Sequence, residues 1–258
     1  MKLGIKIHLG RDDLEIIKKL VKIYEFIEVY YTQHHLFSST INKLFNHWVV
    51  HCPHHEDKIN LALKKGISHV KSSIKFAGKI KAKYAIVHIG FLNKEQTKDK
   101  DLYIENAIKV IEKLNKFSEK YKVKLLVENV PLKSIAHVEL GSNSKEIKRI
   151  LEETGCGFCL DFPHAYHASV SYKINYKKFI RDMYKLKPTM FHLYDGIAKQ
   201  EVDSHLPLGK GNLDIPFFLK FVRNEFVTLE ITPPTLENYL NAIKYLKNIR
   251  IHKHYKSV

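Results

Sequence analysis

The 258-residue chain is poor in cysteine, arginine and long apolar runs, and these shortages exclude several classes of protein. Three scattered cysteines are too few for a disulfide framework and indicate a reducing compartment. No apolar run approaches the roughly 18 residues that a membrane helix needs, and the segment "MKLGIKIHLGRDD" lacks the apolar stretch of a signal peptide. We therefore expect a cytoplasmic protein without membrane association, and no obligate protein partner is evident.

Positive charge dominates the composition, with a formal net charge of +16. Such an excess favours a polyanionic partner such as nucleic acid. The basic residues are 38 lysines and only 5 arginines, and lysine-rich surfaces also occur in hyperthermophile proteins regardless of ligand. Charge alone therefore permits DNA binding without establishing it.

Cys156 and Cys159 form a C-x-x-C pair within a predicted strand. Side chains three apart in a strand face opposite ways, so the two sulfur atoms would not meet. Packing in the core is favoured over a redox or zinc role.

Short β-branched runs alternate with longer amphipathic stretches along the whole chain, which is the pattern of βα units around a parallel sheet. Eight strands are predicted, over residues 3–9, 26–31, 47–52, 84–89, 124–129, 157–162, 190–195 and 226–231. Helices are predicted over residues 11–24, 57–80, 100–121, 143–154 and 235–249. Because no linker separates these units, the sequence predicts a single (β/α)8 TIM-barrel domain over 1–258, with a frayed tail from 252.

In TIM barrels the active site lies at the C-terminal ends of the strands. Those ends and the loops beyond them carry nine potential metal ligands: His51, His88, Glu128, Asp161, His164, His192, Asp203, His205 and Glu230. Each residue alone could be a hydrogen-bonded loop residue or an ion-pair partner. Carboxylates that converge on one site repel each other unless cations occupy it, so the whole set predicts a metal site.

Imidazole and carboxylate ligands without thiolate favour zinc, manganese or iron. Nine ligands exceed what one ion takes and fit two or three ions, which activate water and neutralise a phosphodiester. We expect Glu128, Asp161 and Glu230 to be the catalytic carboxylates. Lys210, between two glycines in "LGKGNLD", is the candidate phosphate or DNA contact, although a plain barrel loop explains it as well.

The order of these residues resembles the endonuclease IV family of abasic-site endonucleases, within the xylose-isomerase-like barrels. The matching segments, between residues 47 and 231, are "HCPHHEDKINLA", "IVHIGF", "LLVENV", "LDFPHAYHA", "FHLYDG", "DSHLPLGKGNLD" and "LEI". The resemblance implies hydrolysis of duplex DNA on the 5′ side of an abasic site, leaving a 3′-hydroxyl. It also implies three zinc ions, the first on His51, His88 and Glu128, the second on Glu128, Asp161, His192 and Glu230, and the third on His164, Asp203 and His205.

Two features depart from that family. The loop over residues 30–40 does not match the family's basic recognition segment, and His54 stands where the family has an aromatic residue. A sugar or sugar-phosphate isomerase or epimerase on the same barrel is the alternative. It would use one divalent ion on a smaller set resembling Glu128, Asp161, His192 and Glu230. A basic barrel that binds nucleic acid without cutting it is a third reading, which leaves the nine residues unexplained.

Overall fold

Eight parallel strands close into a barrel, and helices follow them along the chain. This computed structural model describes residues 1–8, 14–31, 45–54, 58–133, 137–201 and 203–254. The barrel strands are β1 (Lys2–His8), β2 (Phe26–Tyr30), β3 (His47–His51), β4 (Tyr84–Val87), β6 (Lys124–Glu128), β8 (Gly157–Asp161), β9 (Met190–Leu193) and β10 (Phe226–Leu229). Their order around the barrel is β1-β10-β9-β8-β6-β4-β3-β2. Each begins and ends within two residues of its predicted bounds, and the predicted TIM barrel is confirmed.

A small two-stranded sheet that the sequence did not indicate lies in the loops after β4 and β6. It pairs β5 (Phe91–Leu92) with β7 (Val138–Glu139) in antiparallel fashion. Two-residue strands are too short to show an alternating pattern.

The helices that follow the strands in the described residues are α1 (Leu14–Leu20), α2 (Ile67–Lys79), α3 (Lys100–Glu119), α4 (Ser144–Thr154), α5 (Phe162–Ser171), α6 (Tyr176–Tyr184), α7 (Ile215–Phe218) and α8 (Leu236–His254). No bounds were predicted for α5, α6 or α7. Helix α5 is buried from Phe162 to Ser169, so it shows no amphipathic period. The predicted frayed tail is wrong at its start, because α8 continues to His254.

The helix predicted over 57–80 is wrong in its first half. A 3-10 turn over Leu61–Leu63 is capped by the Asn60 side chain, which accepts a hydrogen bond from the backbone N–H of Leu63. Helix α2 begins only after Gly66, whose φ of 73° lies in the left-handed region that interrupts a right-handed helix.

The lower half of the barrel interior is apolar. Its inward-facing side chains form a cluster of their own: Phe26, Val49, Tyr84, Ile86, Leu126, Cys159, Met190 and Phe226. Gly4 makes room for it, because a Cβ there would lie 2.4 Å from the Phe26 ring. Cys156, one residue before β8, belongs instead to the outer core between strands and helices, so the two cysteines pack in different clusters, and packing in the core was correctly favoured. Among the described residues, no helix combines the length and apolarity needed to cross a membrane.

Candidate metal centre

The upper half of the barrel interior is lined by polar and charged side chains. They stand at the inward-facing positions above the apolar cluster, at or near the C-terminal ends of the strands. Those buried or nearly buried are Lys6, Glu28, His51, Glu128, Asp161, His192, Thr228 and Glu230. Charged groups at this depth need partners or bound ions, because burial without compensation is costly.

One group joins the ends of β3, β4 and β6. Oε2 of Glu128 lies 3.1 Å from Nε2 of His51 and 3.2 Å from Nε2 of His88. The other ring nitrogen of His51, Nδ1, donates to the backbone carbonyl of Cys52 at 2.9 Å. Burial lowers the pKa of His88 to about 4, so its ring is neutral near pH 7 and can offer a nitrogen lone pair to an ion.

A second group lies on α5 and the loop after β9. Nε2 of His164 lies 3.2 Å from Oδ2 of Asp203, and Nε2 of His205 lies 2.7 Å from the same oxygen. Burial opposes the charge on Asp203, but the two imidazoles hold the pKa of this carboxyl well below its usual range. His205 has a left-handed backbone with a φ of 46°, and its ring stacks on Tyr194 at 4.1 Å.

The third group surrounds Nδ1 of His192, between the other two. This nitrogen lies 3.1 Å from Oε1 of Glu128, 3.0 Å from Oε1 of Glu230 and 3.8 Å from Oδ2 of Asp161. Glu128 thus faces two groups, one with each carboxylate oxygen. Within the described part of the chain, Oδ2 of Asp161 accepts no hydrogen bond.

The backbone around Asp161 fixes its position. The Asn129 side chain pairs with the Asp161 peptide in both directions, each hydrogen bond being 2.9 Å long. Asp161 also caps α5 by accepting from the backbone N–H of His164 at 2.6 Å, with Pro163 in the first turn. Burial raises the pKa of Asp161 to about 7. His164 lowers this pKa, whereas the negative charge of Glu128 acts in the same direction as burial.

The orientation of the imidazoles tests whether a metal ion fits. Three rings donate Nδ1–H to a backbone carbonyl: His51 to Cys52, His164 to Asn129 and His205 to Glu230. In the neutral ring the remaining Nε2 carries a lone pair, and in each case it faces a carboxylate oxygen. Two acceptors at this distance repel each other unless a cation or a proton lies between them. The donor set fits zinc, manganese or iron.

All nine residues predicted as ligands fall within groups whose potential ligand atoms lie within 4.8 Å of one another. These groups are His51–His88–Glu128, Glu128–Asp161–His164, Glu28–His192–Glu230 and His164–Asp203–His205. Two follow the sets assigned to the first and third ions. The set assigned to the second ion is divided between the other two groups, and its members approach one another at Nδ1 of His192.

The sequence reasoning missed two charged residues of the site, Lys6 and Glu28. Nζ of Lys6 lies 2.9 Å from Oε1 of Glu230, and Glu28 is fully buried beneath His192. Burial acts against the charge on Lys6, but the carboxylates of Glu230, Glu28 and Glu128 raise its pKa above the ordinary value. The signal was present, since each residue is a charge in the middle of an apolar strand, two positions before the strand ends at His8 or Tyr30.

Lys210 lies on an exposed turn after β9. The neighbouring glycines have structural roles. The backbone N–H of Gly209 donates a hydrogen bond to Asp195 at 2.9 Å. A Cβ at Gly211 would lie 2.2 Å from the carbonyl oxygen of Gly196, so this position has no room for a side chain. A phosphate contact from this turn therefore falls to the Lys210 side chain, and it stays a prediction.

A cleft of about 210 Å³ opens beside the candidate metal centre, lined by Lys6, His8, Tyr30, His54, His205, Glu230, Ile231, Thr232 and Pro234. The ring of His54, which lines this cleft, stacks on the ring of His88 with their centroids 4.6 Å apart. Residues 32–40 of the departing loop over 30–40 lie outside the described residues.

Two proteins are similar to this chain in sequence, and one of them is named for an activity. An uncharacterised protein of Methanocaldococcus jannaschii is 24% identical over 211 residues, covering 78% of this chain and 77% of its own length. A Mycoplasmopsis pulmonis protein named "Probable endonuclease 4" is 30% identical over 166 residues, covering 61% of this chain and 56% of its own length.

Solved structures with this fold include members with different activities. A D-tagatose 3-epimerase-like protein superposes with a TM-score of 0.78 at 17% identity and covers all of both chains. Endonuclease IV from Thermus thermophilus superposes with a TM-score of 0.65 at 16% identity, covering 98% of this chain and all of its own. The family described as xylose isomerase-like TIM barrel matches residues 12–249. The chain belongs to the xylose isomerase-like TIM barrel family.

Proposed function

We propose that this chain is a metal-dependent phosphodiesterase that cleaves duplex DNA on the 5′ side of abasic sites and leaves a 3′-hydroxyl. Its proposed cofactor is zinc, with three ions and with manganese or iron as alternatives at one or more positions. The observation that carries the proposal is the number of paired imidazole and carboxylate groups, which exceeds what one ion takes. The likeness to "Probable endonuclease 4" supports the DNA substrate.

The residues outside the smallest ligand set distinguish the candidate functions. An isomerase with one ion needs a set such as Glu128, Asp161, His192 and Glu230. It gives no ligand role to His51 and His88, whose Nε2 atoms both face Oε2 of Glu128. It also gives none to Asp203 and His205, although Oδ2 of Asp203 faces the Nε2 atoms of both His164 and His205. A multinuclear phosphodiesterase uses all of them.

Bound divalent ions would lower the pKa of water and offset the negative charge of a phosphodiester. Glu128 is suited to join two ion positions, because its two oxygens face different groups. Asp161 and Glu230 complete the proposed catalytic carboxylates. Lys210 and other lysines around the mouth would hold the DNA backbone, so binding should weaken steeply with salt.

A sugar isomerase or epimerase is the second candidate. The observation in its favour is the central group around His192, together with a fold shared over the full length of a D-tagatose 3-epimerase-like protein. A cleft of about 210 Å³ also opens beside this group.

The deciding experiment combines elemental analysis with two activity assays on the same preparation. The probes are a labelled duplex with one tetrahydrofuran abasic analogue, the matching intact duplex, and a panel of simple ketoses and aldoses. We expect more than one ion per chain, incision only at the analogue, and a product end that a polymerase extends. One ion per chain with a converted sugar and an uncut duplex would establish the second candidate instead.

A further inference from the structure

His192 is held differently from three other imidazoles of the candidate centre. His51, His164 and His205 each donate Nδ1–H to a backbone carbonyl, which leaves Nε2 for an ion. His192 has the reverse arrangement: Nδ1 faces the carboxylates of the central group, and Nε2 lies 3.0 Å from Oε2 of Glu28. A side-chain carboxylate therefore takes the place that a carbonyl oxygen has elsewhere.

Glu28 is itself positioned by the strand register. Its Oε2 accepts a second hydrogen bond from the hydroxyl of Thr228 at 2.7 Å, and Thr228 is the register partner of His192 on the next strand. Glu28 and Thr228 are both fully buried. Within the described residues, Oε1 of Glu28 has no hydrogen-bond partner, so the carboxylate is committed to the ring through one oxygen.

Two observations favour an outer position for Glu28 over direct binding of an ion. Lys6 is the register partner of Glu28 on β1, and its ammonium already lies 2.9 Å from Glu230. A further cation between Glu28 and Glu230 would therefore lie beside a fixed positive charge, which is unfavourable at low dielectric. Moreover, His192 offers one neutral nitrogen to an ion only if the other carries the proton, and Glu28 is placed to accept that proton's hydrogen bond.

We propose that Glu28 is a positioning residue that holds the Nε2–H of His192 and so directs Nδ1 toward the central ion. The inference rests on the metal centre of the proposed function, but it does not depend on the substrate. Carboxylates in this outer position fix the tautomer and the orientation of a ligating histidine, and their loss typically weakens metal binding by roughly 10- to 100-fold.

The test compares Glu28→Gln with Glu28→Met by zinc competition against a chromophoric chelator. The amide oxygen of glutamine still accepts from Nε2–H, whereas methionine has no comparable acceptor. We expect a loss of affinity of a few fold for Glu28→Gln and of about 10- to 100-fold for Glu28→Met at one ion position. Both variants should bind the wild-type number of ions at saturation. The cobalt-substituted Glu28→Met protein should show a shifted visible absorption spectrum.

Thr228→Val and Thr228→Ser provide a milder pair if Glu28→Met does not fold. The valine variant removes the hydroxyl that holds Glu28 and should lose zinc affinity a few fold, whereas the serine variant should retain it. Wild-type affinity in both Glu28→Met and Thr228→Val would overturn the inference. Loss of an ion at saturation in Glu28→Gln would identify Glu28 as a direct ligand and would overturn it as well.

These outcomes are separate from those of the proposed function. If the wild-type protein binds zinc but leaves abasic DNA intact, the phosphodiesterase proposal fails while the affinity series still decides the role of Glu28. If the wild-type protein binds no divalent ion, both proposals fail.

Discussion

Oε1 of Glu128 lies 3.1 Å from Nδ1 of His192, although the two residues stand on β6 and β9 with β8 between them. The contact is possible because both strands direct these side chains into the mouth of the barrel. Since the opposite oxygen of Glu128 faces His51 and His88, this one carboxylate connects the central group to a neighbouring group. Its removal should therefore affect two ion positions together.

We expect Glu128→Gln to lower the number of bound ions by at least one and the rate of strand incision by at least ~100-fold. The metal-free variant should be less stable than the metal-free wild type, because burial opposes the charge on Glu128 but His192 and His88 hold the pKa of this carboxyl well below its usual range. Elemental analysis, incision assays and thermal unfolding check this. Glu112→Gln, at an exposed carboxylate on α3, is the matched control. Full incision by Glu128→Gln would contradict the metal mechanism.

Zinc binding should release protons and become stronger from pH 6 to pH 8. Without metal, Asp161 has a pKa of about 7, so it is mostly protonated at pH 6 and mostly ionised at pH 8. Burial opposes protonation of His164 and His192, but nearby carboxylates raise the pKa of each ring above its ordinary value. Ligands bind metal in their deprotonated form, so every one of these protons competes with zinc. Titration calorimetry in two buffers of different ionisation enthalpy measures the release, and a buffer-independent enthalpy with pH-independent affinity would contradict it.

The three cysteines should be unreactive in the folded protein. All are buried, and burial raises the pKa of Cys52 to about 12 and the pKa of Cys156 and Cys159 above the usual thiol value. The thiolate is the reactive form, so a disulfide reagent at pH 8 should titrate none of them quickly and all three after denaturation. Ready formation of a disulfide between Cys156 and Cys159 under mild oxidation would contradict the assignment of both to the core.

Gly4→Ala should destabilise the barrel by ~1–3 kcal/mol, because the added methyl would overlap the Phe26 ring inside the barrel. Urea unfolding measures the effect. Gly155→Asn is the control: it ends α4 with a φ of 66°, a Cβ there would meet its nearest neighbour at an ordinary 3.9 Å, and asparagine tolerates that conformation. Equal stability of Gly4→Ala and wild type would show that the Phe26 side chain moves away without cost.

The barrel was predictable because short apolar runs, many of them β-branched, recur along the chain at the spacing of βα units, and several end in a polar residue such as His51, Glu128 or Asp161. The absence of a continuous helix over 58–66 was not predictable, because the apolar spacing there is helical while the left-handed Gly66 interrupts the helix. Helix α5 was not predicted, because burial on all sides removes the alternation of apolar and polar residues that indicates a surface helix.

The candidate centre was predictable for the residues at strand ends and not for those one layer below. His192 and Glu230 stand where a TIM barrel places its functional groups, whereas Lys6 and Glu28 lie within strands whose other residues are core. Their roles depend on which side chain each meets across the barrel, and a single sequence holds no record of those cross-barrel pairs.

The register pairing of Lys6 with Glu28 has a consequence for how this barrel can change over time. Lys6 also contacts Glu230, and Glu28 also contacts His192, so losing either residue alone would change the net charge beneath the candidate metal centre by one, whereas losing both together would keep it. We therefore expect these two positions to be replaced together during the evolution of this protein, because each limits which replacements the other tolerates.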